Sequence, residues 1–220
     1  MRDGAVWGAA ARVAAGRLSS ALASAAAMRS GLGTGPWDTL YAAAESASGV
    51  GYGAISTAGA AGLLLVARAH GGRPHPAMVV HALVGGLLVE LVLPHLPQAG
   101  SPAAALAYAA AALLLGAIAG VLVLGAPLAR TAYDGALVAV STHRGWNAGR
   151  ARLCLDLPVL AAGWALGGRV GAFTVAGALL TGPLVQVLLR AQAPRPAVAR
   201  TRPSAPDVRL TPFEPMRALV

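Results

Sequence analysis

AAALAYAAAALLLGAIAGVLVL, residues Ala103 to Leu124, contains no charge, no proline and a single polar atom, the hydroxyl of Tyr108. At 1.5 Å per residue a helix of this length reaches about 33 Å, enough for the roughly 30 Å hydrocarbon core of a bilayer. It reads as a membrane-spanning helix. Working outward, further apolar runs occupy Ala54 to Ala69, Ala77 to Leu93, Leu153 to Leu166 and Val170 to Leu189. A weaker one, Val13 to Met28, is diluted by Arg17 and several serines. That makes about six spans. Two mixed stretches, Pro36 to Ser48 and Ala132 to Arg144, are too short to cross and read as interfacial or re-entrant helices.

The composition agrees with lipid as the solvent. Of the 220 residues, 56% are hydrophobic and 11% charged, against about one-quarter charged in a soluble domain. Much of the apolar share is Ala and Gly, which suits close helix-to-helix packing. All 17 basic residues are Arg, and the net charge is +9. The arginines lie between or beyond the apolar runs, where the positive-inside rule accounts for them without nucleic acid. A single cysteine, Cys154, excludes an internal disulfide. Arg2 followed by Ala-rich sequence ending near Ala25-Ala26-Ala27 has the outline of a secretory signal, but Arg12 and Arg17 interrupt it. We read it as a retained first span.

An internal repeat organises the chain. Shifted by 96 residues without a gap, Asp38 pairs with Asp134, Gly49 with Gly145, Gly53 with Gly149, and Gly71-Gly72-Arg73 with Gly167-Gly168-Arg169. From Gly31 to Val92, 16 of 62 positions are identical. Three spans per half force the second half to enter from the opposite side, so the halves are expected to be inverted repeats. With both termini cytoplasmic, 15 arginines fall inside and two, Arg29 and Arg169, outside. The expected fold is all-α: a polytopic transmembrane bundle over residues 1–190, with repeat one at about 8–97 and repeat two at about 102–190. Residues 191–220, Pro- and Arg-rich, are expected to be a disordered cytoplasmic tail.

The most specific local string is Gly31-Leu32-Gly33-Thr34-Gly35-Pro36-Trp37-Asp38, followed by Gly49-Val50-Gly51-Tyr52-Gly53. Pro36 suits a first helical position, and Asp38 can accept from orphan backbone N–H groups. One reading is a capped helix start anchored by Trp37. The other is a broken helix that points its terminus at a solute. In the second half, Arg152 to Asp156 runs into Gly163-Trp164-Ala165-Leu166-Gly167-Gly168-Arg169-Val170-Gly171 and ends with Gly182-Pro183-Leu184-Val185-Gln186. On Gly33-Thr34-Gly35-Pro36-Trp37-Asp38-Thr39-Leu40 and these second-half strings, over about Gly31 to Leu189, the chain resembles the YczE family of bacterial membrane proteins, related to the YitT-type proteins. The resemblance implies a multi-pass protein of the bacterial cytoplasmic membrane, and no catalytic residues. The family's second Gly-x-Gly-Pro-Arg-Asp-Gly string is reduced here to Asp134-Gly135, and the Glu of its Arg-x-x-x-Glu pair is Asp156.

Ionisable residues within apolar runs are costly and are candidates for function. Glu90 is one, unless it reaches interfacial water at the end of its helix, and the repeat pairs it with Gln186. Arg152 and Asp156, four apart, share a helix face. They are expected either to fix how that helix enters the membrane or to act as a gate. The candidate solute or ion pathway is Asp38, Glu90, Asp134, Arg152, Asp156 and Gln186. The structural motif residues are Gly33, Gly35, Pro36, Trp37, Gly167, Gly168, Gly182 and Pro183. His81 reads as a hydrogen-bonded packing residue, and the spacing of His70, His75 and His81 matches no zinc pattern. No phosphate loop, serine elbow or Cys-His pair appears. The expectation is a small-solute permease, not an enzyme, without metal or cofactor. The alternative is a membrane accessory protein acting through partner contacts. Expected partners are the lipid bilayer and a small solute, with a homo-oligomer left open and no nucleic acid.

Overall fold

The computed structural model describes residues 2–73, 75–123 and 131–192. The expected tail beyond residue 192 and residues 124–130, Arg130 among them, lie outside the described residues. Among those residues the fold is all-helical, with no strand.

Helix α1 (Arg2–Ser30) ends where the Ser30 hydroxyl donates to Ala27 O at 2.7 Å and Gly31 turns left-handed at φ 70°. Helix α2 (Pro36–Ser48) opens on a proline, whose missing N–H would be unsatisfied at that position anyway. It stops at Gly49, where φ is 72°. Next come α3 (Tyr52–Ala69) and α4 (Pro76–Val92), the latter continuing into a 3₁₀ turn at Leu93–His95. The second half holds α5 (Pro102–Val123), α6 (Ala132–Arg144), α7 (Ala148–Ala165) and α8 (Ala172–Gln192). Three helices, Tyr52–Ala69, Pro102–Val123 and Ala172–Ala191, are long and apolar enough to cross a membrane.

Helices α6 and α7 begin and end 96 residues after α2 and α3, and α8 begins 96 residues after α4. Turn details follow the same offset. Gly72 N donates to Ala67 O at 2.8 Å, and Gly168 N donates to Gly163 O at 2.8 Å. The preceding Gly71 and Gly167 both have positive φ, 79° and 88°.

Packing is reciprocal between the halves. Helix α1 lies along α5, α2 packs on α7 and α6 on α3, while α4 packs on α1 as α8 does on α5. Small residues permit these approaches: Gly16 backs onto Leu122, Val123 and the carbonyl of Ala119, and Ala26 and Ala27 meet Ala112. At one end of the bundle, Arg29 donates through Nε and Nη2 to Leu93 O at 3.2 and 2.6 Å, answering a carbonyl the end of α4 leaves open. Arg169 reaches toward Gly31 at the same end. Helix α8 exposes Val175, Leu179 and Val187, as a lipid-facing helix would.

Candidate functional site

The first turns of α2 and α6 meet. Trp37 and Tyr133, which correspond at the 96-residue offset, touch edge to face with ring centroids 6.1 Å apart. Each is followed by an aspartate, but the two aspartates do different work. At α6 the residue before the helix is Thr131, whose hydroxyl accepts from Asp134 N at 3.0 Å. Asp134 Oδ2 in turn accepts from Thr131 N at 2.9 Å and from its hydroxyl at 2.7 Å. This capping box occupies Asp134 with its own helix. At α2 the corresponding residue is Gly35, which has no side chain to cap with. Asp38 turns inward instead: Tyr52 Oη donates to Asp38 Oδ1 at 2.7 Å, and Ser24 of α1 supplies a second hydroxyl.

Beside Asp38 lies a cavity of about 280 Å³, bounded by α1, α2, α3, α4 and the start of α6. Its wall is a chain of aromatic rings. Tyr133 abuts Trp37, Trp37 lies 5.9 Å from Tyr41, and Tyr41 lies 5.7 Å from Tyr52. Arg17, His81, Ser20, Ser56 and Thr131 add polar groups. Arg17 also stands within electrostatic reach of Asp134.

Asp156 supports this wall from behind. Trp37 Nε1 donates to Asp156 Oδ1 at 3.0 Å, and Arg152 Nε donates to Asp156 Oδ2 at 3.2 Å. The carboxylate is nearly enclosed, its side chain 14% exposed against 59% for Arg152. The structure therefore brings Asp38, Asp134, Arg152 and Asp156 to or behind one cavity.

Glu90 and Gln186 do not join them. Glu90 Oε2 accepts from Gly53 N at 2.9 Å, and Glu45 Oε1 accepts from Tyr52 N at 3.0 Å. Two carboxylates thus cap α3, whose preceding residue, Gly51, lacks a side chain. In the second half Asn147 takes Gly51's place and caps α7 itself, accepting from Arg150 N at 2.8 Å. Gln186 has no such cap to make and is exposed on α8. Replacing Glu90 by Ala is expected to lower stability by about 1 kcal/mol, the usual cost of losing a helix cap. Gln186→Ala should change it by less than about 0.5 kcal/mol. Thermal melts in detergent check both.

The glycine motifs make a second contact region. A Cβ on Gly33 would lie 2.6 Å from Gly171 N and 2.6 Å from Thr174 Oγ1. One on Gly163 would lie 2.7 Å from Leu40 N, and one on Gly168 2.7 Å from Thr39 Cγ2. Thr174 Oγ1 donates to Thr34 O at 2.8 Å across this seam. Two of the strings that carried the family resemblance, the one from Gly33 and the one from Gly163 to Gly171, are thus the two faces of one contact. Gly167 ends α7 in a left-handed turn. Gly182 and Pro183 lie outside the seam, on exposed positions of α8.

Sequence reasoning missed Arg17, Ser24, Tyr41, Tyr52 and Tyr133 as members of the site. A usable signal existed: the chain has four tyrosines, and three of them line this one cavity. No curated protein and no solved structure matches the chain. A family model does match, over residues 10–190, a range that takes in the cavity and the glycine seam. The chain belongs to that family, the family of unknown function DUF6198.

Proposed function

We propose that this protein is a small-solute permease of the bacterial cytoplasmic membrane, kin to the YczE proteins. It has six spans in two inverted halves, both termini cytoplasmic, and no catalytic activity. The observation that carries the reading is the meeting of the first turns of α2 and α6 beside a polar, aromatic-walled cavity. Short helices whose N-terminal ends converge on an internal cavity are how transporters built from inverted repeats hold a solute near the midplane. At 13 residues each, α2 and α6 reach about 20 Å, too short to cross and long enough to enter half-way. The 96-residue offset of the helix bounds and the reciprocal packing of α2 on α7 and α6 on α3 support the repeat. The placing of Arg29 and Arg169 at one end supports the orientation.

The test is a solute-retention screen. Proteoliposomes and protein-free vesicles are loaded with a mixed solute set and compared with and without an imposed proton or sodium gradient. At least one solute should equilibrate or accumulate only where protein is present. Retention identical to empty vesicles for every solute, under every gradient, overturns the permease reading in favour of an accessory role through partner contacts.

A further inference from the structure

We infer that the cavity beside Asp38 is a binding site for a small organic cation of the alkylammonium class. The inference deepens the permease reading and rests on it for the fate of the ligand, though not for the binding itself.

The argument begins with charge. Asp38 and Arg17 are the charged residues that line the cavity, with the His81 imidazole beside them, while Asp134, Arg152 and Asp156 stand behind its wall. Arg152 is bonded to Asp156, and Arg17 stands opposite Asp134. Asp38 is met by neutral hydroxyls, those of Tyr52 and Ser24. The N-terminus of α2 contributes about half a positive charge, which favours the ionised form of Asp38 without neutralising it. Met only by hydroxyls, the Asp38 corner of the cavity is the part that favours an incoming positive charge.

The walls specify the kind of cation. Trp37, Tyr41, Tyr52 and Tyr133 form an unbroken aromatic series, with neighbouring centroids 5.7 to 6.1 Å apart. Aromatic faces attract cations through the ring quadrupole, and Trp is the strongest of them. They also replace the hydration of methyl or methylene groups on nitrogen, which a small metal ion lacks. A strongly hydrated inorganic cation needs oxygens around it on most sides. This site offers one carboxylate and a few hydroxyls, together with the nitrogen groups of Arg17 and His81, beside four aromatic rings. In a chain that is mostly Ala, Gly and Leu, four of the ten aromatic residues converge on this cavity. Packing alone gives no reason for them to surround a carboxylate.

The test uses three probes of similar size and different charge: tetramethylammonium, tert-butanol and pivalate. Binding to the purified full-length protein in detergent is read by equilibrium dialysis at constant ionic strength, with Trp fluorescence as a second signal. Tetramethylammonium should bind saturably and at least ten-fold more tightly than tert-butanol, and pivalate should not compete. Asp38→Asn should weaken tetramethylammonium at least ten-fold, and Tyr41→Leu should weaken it several-fold, with both variants retaining the elution profile and melting behaviour of the parent. Equal binding of tert-butanol, or tighter binding of pivalate, overturns the inference on the unmodified protein alone, so a variant that fails to fold leaves the outcome decided. Cation binding without transport in the vesicle screen upholds the inference and defeats the permease reading. Transport of a neutral or anionic solute with no cation binding does the reverse.

Discussion

Replacing Gly33 by Ala should destabilise the protein by about 2 to 5 kcal/mol. Two independent costs add at this residue. Its φ is 103°, a left-handed conformation that costs an L residue about 1 to 2 kcal/mol. The new methyl would also meet Gly171 N at 2.6 Å, and a backbone atom cannot rotate aside as a side chain can. Overpacking of that kind costs about 1 to 3 kcal/mol. Gly163→Ala, in ordinary helical backbone but 2.7 Å from Leu40 N, should show the packing cost without the conformational one. Gly62→Ala provides the opposite control. Nothing lies near its Cβ position and it sits within α3, so it should be neutral or stabilising by up to about 1 kcal/mol. Denaturant titrations in detergent should rank the three Gly33, Gly163, Gly62 in order of loss. Equal losses for Gly33 and Gly62 would mean that the segment before α2 does not approach Gly171 and the start of α8 as described.

Asp156→Ala should cost about 1 to 3 kcal/mol, and Arg152→Ala less than about 1 kcal/mol. The sequence treats these two residues as equals, but the structure does not. Arg152 is mostly exposed, and an exposed i,i+4 pair is worth little. Asp156 keeps the Trp37 indole as a donor when Arg152 is gone. Removing Asp156 instead strands a partly buried indole N–H, which carries the full desolvation cost. A double-mutant cycle of Asp156→Ala with Trp37→Phe isolates that bond. Its coupling energy should exceed the one measured between Asp156 and Arg152. A cycle that is strictly additive for Trp37 would show that the indole bond contributes nothing.

Helix positions were the legible part of this chain because lipid imposes a simple rule on composition. The ends of the short segments are set by local chemistry, a proline or a capping hydroxyl at the start and a left-handed glycine, Gly49 or Gly145, at the end. The site was harder to see. Arg17 looks like dilution of a weak span when only its own helix is considered, and becomes a cavity residue once α1 packs against α4. Ser24 carries one hydroxyl in an Ala-rich run and Tyr52 one in a Gly-rich run, with no periodicity to flag either. Asp38 and Asp134 look equivalent at the 96-residue offset. Their different roles come from the residue three positions earlier, Gly35 or Thr131, and from a tyrosine on another helix. Glu90 looked like a pathway charge because its partner is a backbone N–H 37 residues away, which no side-chain pattern can display.

The interlocked packing of the halves bears on how the chain is made. Trp37 waits for a partner 119 residues further along. At 5 to 20 residues per second the wait is roughly 6 to 24 seconds. Until α7 emerges, α2 holds an unsatisfied indole and the bare glycines of its approach segment against whatever the membrane offers. Inserting the first half is therefore a separate event from completing it, and the nascent chain passes through an open form that the insertion machinery must shield for longer than most helices need to form.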